Sequence, residues 1–67
     1  MKLKEIRKDK KISQKELSET INVSQQNISL WETGKRELRV FYAKKIADAL
    51  QLKNWWELYE DEEEVKK

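Results

Sequence analysis

Two adjacent glutamines, Gln25 and Gln26, are followed one helical turn later by Ser29 and Leu30, and then by three cations, Lys35, Arg36 and Arg39. A glutamine amide carries a donor and an acceptor in one plane, so it can pair in a bidentate way with the N6 and N7 edge of an adenine. Leu30 has no hydrogen bond to offer and suits a thymine methyl group. The cations suit phosphate. None of this is diagnostic alone: paired glutamines on a helix are ordinarily just solvated, and cations after a helix end also complement its dipole. The missing residues narrow the chemistry further. Without Cys there is no disulfide framework, thiolate ligand or thiol nucleophile, and without His the commonest general base and metal ligand are gone. A single Gly and no Pro exclude Gly-rich phosphate loops and Pro-rich linkers. The carboxylates from Glu57 to Glu64 can imitate an acid/base or metal cluster, but no second layer is in sight to close a pocket around them. They read as solvated. No enzyme, metal or cofactor is expected.

The chain has 67 residues, room for one small domain. Leu, Ile, Val and Phe supply 16 of them, just over the level of roughly 20% below which disorder is the default, so any core must be economical. Apolar runs are far too short to cross a membrane and no signal-peptide pattern opens the sequence. A cytoplasmic setting, in a bacterium or a phage-infected cell, is the simplest expectation. Charge is uneven. Residues 1–36 hold nine Lys or Arg against five Asp or Glu, whereas residues 37–67 hold six against eight. A basic, helical front half hints at a phosphate-bearing partner.

Strong helix formers and the lack of period-two alternation predict an all-helical chain of five helices. The first covers about Lys2 to Lys10, with Leu3 and Ile6 inward. Ser13 caps a second, Gln14 to about Thr20, and Glu16 completes a capping-box pattern. Asn22 is the turn residue, tolerant of the left-handed conformation. Ser24 caps a third helix, Gln25 to about Thr33, which Gly34 stops. A fourth runs from about Val40 to Leu50 with Ala43, Ile46, Ala47 and Leu50 on one stripe. A fifth, about Trp55 to Glu60, follows Asn54. Residues 1–60 form the domain, and 61–67 are expected to be an acidic, frayed tail.

The link Ile21-Asn22-Val23-Ser24 is too short for antiparallel packing, so the second and third helices must cross steeply, with the small Ser18 where they touch. The residues Ser13-Gln14-x-x-Leu17-Ser18, Asn22-Val23-Ser24-Gln25-Gln26-x-Ile28-Ser29-x-Trp31-Glu32-x-Gly34-Lys35-Arg36 and Ile46-Ala47-x-Ala49-Leu50 resemble the helix-turn-helix of phage repressors and Cro-type regulators, the XRE family. The resemblance covers about residues 2 to 59. It implies an all-α, five-helix, lambda-repressor-like DNA-binding domain. The sequence departs from that pattern at Lys11, Asn22 and Gln51, where members often carry Gly, and at Leu38, where many carry Pro.

On that resemblance the third helix enters the major groove with its N-terminal residues at the base edges. Gln25, Gln26, Ser29 and Leu30 are then the base-contacting candidates, with Asn27 to the side. Gln14, Ser24, Thr33, Lys35, Arg36 and Arg39 are the phosphate-contacting candidates. Arg7 and Glu32 resemble a structural pair joining the first and third helices. Trp56 resembles a core position, which leaves Trp55 exposed beside Phe41 and Tyr42. Phe41 and Trp55 are therefore candidate dimer-interface residues, against the plainer reading that Trp55 merely covers the last helix. The implied protein is a Cro-like transcriptional repressor of a phage or mobile element. It binds double-stranded DNA as a homodimer on a near-palindromic operator, without a small-molecule ligand or membrane partner. Two rivals remain: an antitoxin-like regulator whose acidic tail grips a protein, and a helical protein-interaction adaptor.

Overall fold

The computed structural model describes residues 1–59. Of the carboxylates from Glu57 to Glu64 only Glu57 lies within the described residues, and the expected 61–67 tail lies outside them. Four α-helices follow in order: α1 Leu3–Asp9, α2 Gln14–Ile21, α3 Gln25–Glu32 and α4 Val40–Ala49. There is no strand among the described residues. The expected fifth α-helix is instead a single 3-10 turn, Trp55–Leu58. Its bonds close three residues apart, Glu57 N–H to the Asn54 carbonyl at 3.2 Å and Tyr59 N–H to the Trp56 carbonyl at 3.0 Å. The Glu57 carboxylate in turn accepts from Asn54 N–H at 3.2 Å.

Side-chain caps set the starts of the two helices that matter most. The Ser13 hydroxyl accepts from Glu16 N–H at 3.0 Å while the Glu16 carboxylate accepts from Ser13 N–H at 2.9 Å. This reciprocal box satisfies two otherwise unpaired donors. The Ser24 hydroxyl accepts from Asn27 N–H at 3.1 Å. α2 ends at Asn22, left-handed at φ 62°, and the next amide, Val23 N–H, reaches back to the Ser18 carbonyl at 2.9 Å. Only Asn22, Val23 and Ser24 separate α2 from α3, and the buried Ser18 lies on α2 close to this turn. Lys11 and Gln51 take the same left-handed conformation at φ 61° and 60° without a glycine's freedom.

The core joins all the elements: Leu3 from α1, Leu17 and Ile21 from α2, Ile28 and Trp31 from α3, Ala43 and Ile46 from α4, and Leu38, Leu50 and Leu58 from the connections and last turn. Trp31 meets Tyr42 with ring centroids 5.2 Å apart. The expected roles of the two neighbouring tryptophans are reversed. Trp55 packs against the core, whereas Trp56 is 48% exposed. In a 3-10 turn residues three apart eclipse, so Trp55 stands over the fully buried Leu58 and Trp56 must face out. Tyr59 closes the last turn onto the α3–α4 loop by donating its hydroxyl proton to the Leu38 carbonyl.

Candidate nucleic-acid interface

The inward residues Ile28 and Trp31 pin α3 by its underside, being 0% and 3% exposed. Its remaining faces carry Gln25 and Gln26, both exposed, and Ser29 and Leu30, both half-buried. The helix thus presents amides at its N-terminal end and an apolar group one turn on.

A hydrogen-bonded chain runs from the interior to this surface. Arg7 Nε and Nη2 donate to the two Glu32 carboxylate oxygens at 2.7 and 3.2 Å, and Arg7 Nη1 donates to the Ile12 carbonyl at 2.9 Å. Both side chains are nearly sealed from solvent, at 8% and 2% exposure. Gln14 Nε2 donates to the same carboxylate at 2.9 Å, and Gln25 Nε2 donates to Gln14 Oε1 at 3.4 Å. The ion pair therefore fixes the Gln14 amide, and Gln14 orients Gln25. Gln25 keeps its carbonyl oxygen and one N–H, the complete set for an adenine edge.

The expected phosphate-contacting residues divide by what their donors already do. The Gln14 side-chain amide gives one N–H to Glu32 and its oxygen to Gln25, which leaves its second N–H, beside the backbone N–H groups at the start of α2, for an anion. Thr33 is turned back on its own helix: its hydroxyl donates to the Ser29 carbonyl at 3.0 Å and its backbone N–H to the same oxygen. In this rotamer both of its donors face its own helix. Ser24 uses its hydroxyl oxygen as a cap and retains the proton. Lys35, Arg36 and Arg39 are exposed on the α3–α4 loop. Arg36 Nη1 donates to Asn27 Oδ1 at 2.9 Å. Arg39 occupies the N-cap of α4 without capping it.

Phe41, at 63% exposure, is a solvent-facing aromatic with the Lys45 ammonium 5.2 Å from its ring centroid. Trp55 is not a counterpart to it, for the reason given by the last turn. Burial, and secondarily the nearby Glu37 carboxylate, push the Tyr59 hydroxyl above its usual value of 10.0. Among the described residues no group of three acidic, Cys or His side chains is placed to hold a metal ion, and no helix is long and apolar enough to cross a membrane.

The sequence reasoning missed five side-chain links: Gln14 to Glu32, Gln25 to Gln14, Arg7 to Ile12, Asn27 to Arg36, and Tyr59 to Leu38. All join residues on different elements, and no local spacing rule reports them. The one available signal was Leu58, three residues after Trp55, which marks that indole as the inward one.

A capped α2, a three-residue turn and a pinned α3 with an exposed polar crest define a helix-turn-helix domain. A family model described as helix-turn-helix matches residues 3–53. The chain belongs to this family, that of XRE-type DNA-binding regulators. No curated protein matches the chain significantly. No solved structure does either.

Proposed function

We propose that the chain is a sequence-specific transcriptional regulator of the Cro or repressor type, with α3 lying in the major groove of double-stranded DNA. Gln25 and Gln26 read base edges, Ser29 adds a hydroxyl contact, and Leu30 packs on a thymine methyl. Ser24, Lys35, Arg36, Arg39 and the backbone N–H groups at the start of α2 take phosphates and fix the register. One observation carries this reading: two exposed amides stand in the first turn of a buried-side-down helix, and a buried ion pair orients one of them through Gln14. A solvated surface needs no such support.

One domain of this size covers about one half-site, which gives little affinity or specificity. The chain therefore acts as a homodimer on a near-palindromic operator, with half-sites about one helical turn apart. Phe41 and the solvent-facing Trp56 are the aromatic groups available for the dimer contact. Regulation follows from occupying or exposing a promoter in proportion to protein concentration. Selection from random duplex DNA, read by sequencing, tests the whole reading. A symmetric enriched motif supports it. Enrichment of nothing, with binding indifferent to sequence, refutes base readout.

A further inference from the structure

The structure holds two arginines next to α3 in different ways. Arg7 is buried and the Glu32 carboxylate matches its charge. Arg36 is exposed and held by a neutral acceptor, the Asn27 amide oxygen at 2.9 Å. No carboxylate among the described residues lies within ion-pair distance of Arg36, although Glu37 is its neighbour and lines the same groove.

The backbone explains how a loop residue reaches the helix. Lys35 and Arg36 N–H both donate to the Leu30 carbonyl, at 3.0 and 3.2 Å, so the loop doubles back along α3. From there the Arg36 side chain extends one turn further, to Asn27 in the first turn of the helix. Beside it runs an open groove of about 390 Å³ bounded by Asn27, Trp31, Arg36, Glu37, Arg39 and Tyr42. Asn27 occupies one Nη1 proton and leaves the Nε and Nη2 edge free, the fork that fits two phosphate oxygens.

We propose that Asn27 is a positioning residue for DNA binding, whose amide oxygen fixes the Arg36 guanidinium beside the recognition helix without neutralising it, so that Arg36 meets a backbone phosphate already oriented. An acidic residue in this place would hold the guanidinium equally well and cancel its charge. A residue with no acceptor would leave the charge intact and the side chain free, at the cost of ordering it on binding. The inference rests on the proposed mode of duplex binding.

The test compares Asn27→Asp, Asn27→Ala and Arg36→Ala in the full chain, on a selected duplex and an unrelated one, over a range of salt, with thermal unfolding as the folding control. Asn27→Asp is expected to lower the log–log salt slope by about 0.9, as Arg36→Ala does. Asn27→Ala is expected to weaken both duplexes about two- to tenfold with the slope unchanged. Unchanged affinity in Asn27→Ala, a wild-type slope in Asn27→Asp, or lost discrimination at a single base pair overturns the proposal. A readout without DNA separates its parts. The Arg36 Nη1–H resonance, whose proton Asn27 holds, should be resolved and slowly exchanging in the unmodified chain and averaged in Asn27→Ala. If that signal is averaged in the unmodified chain, the brace is refuted. If it is present in a chain that binds no duplex, the duplex reading fails and takes this use of the brace with it.

Discussion

Glu32→Ala is the most demanding perturbation of the support beneath the interface. The carboxylate is 2% exposed and accepts three hydrogen bonds, two from Arg7 and one from Gln14. Its removal leaves the 8% exposed Arg7 guanidinium with only the Ile12 carbonyl as partner. Breaking a buried pair from one side costs about 3–5 kcal/mol, because a charge stays desolvated without compensation. A 67-residue domain has roughly 3–10 kcal/mol of total stability, so this single change should remove about a third of it or more. Urea unfolding followed by far-ultraviolet circular dichroism measures it. The double variant Arg7→Met, Glu32→Leu removes both charges and keeps most of the volume. It should recover to near or above wild-type stability. That variant also separates folding from recognition: it should be stable but lacks the anchor for Gln14, so on the proposed reading it should bind DNA with weaker discrimination at the base pair assigned to Gln25. A loss below about 1 kcal/mol in Glu32→Ala, or a double variant as unstable as the single one, would refute the reasoning.

Three further perturbations probe other parts of the account. Arg39 sits at the N-cap of α4 with no side-chain cap, so Arg39→Ser should raise stability by about 1 kcal/mol in urea unfolding while lowering the DNA salt slope by about 0.9; no change in slope would remove Arg39 from the phosphate contacts. Lys11→Gly and Gln51→Gly relieve left-handed strain at φ 61° and 60° and should each raise the urea midpoint by up to about 1 kcal/mol in stability at constant m-value. Because the folded state holds the Tyr59 proton above its usual 10.0, this group's stabilisation is complete below about pH 10 and is lost as pH rises through the folded value. Wild-type stability should therefore fall more steeply than that of Tyr59→Phe above pH 10, and parallel curves would contradict the burial of this hydroxyl beside Glu37.

Much of the scaffold was legible because it is written in local chemistry. Ser13 with Glu16, Ser24, and Asn22 are capping and turn residues whose physics acts within four positions. The inward stripe of Ile28 and Trp31 follows from helical period alone. What was not legible depends on element length or on distance in the sequence. A short stretch after Asn54 holds a tight turn as easily as an α-helix, and that choice placed Trp55 inside and Trp56 outside. The place of Gln14 at a helix start is local and legible, but its side-chain link to a carboxylate eighteen positions away is not. Thr33 likewise read as a surface donor, but its hydroxyl bonds back to the preceding turn, as helical threonines can.

The central claim is that amides on α3 read bases while loop cations hold phosphates. Binding of Gln26→Ala and Lys35→Ala to the selected duplex and to a scrambled one, across a salt series, tests it most directly. Gln26→Ala is expected to lose about 1–3 kcal/mol on the selected duplex and almost nothing on the scrambled one. Lys35→Ala is expected to weaken both alike and to flatten the slope by about one unit. Equal losses on both duplexes for both variants would contradict the account.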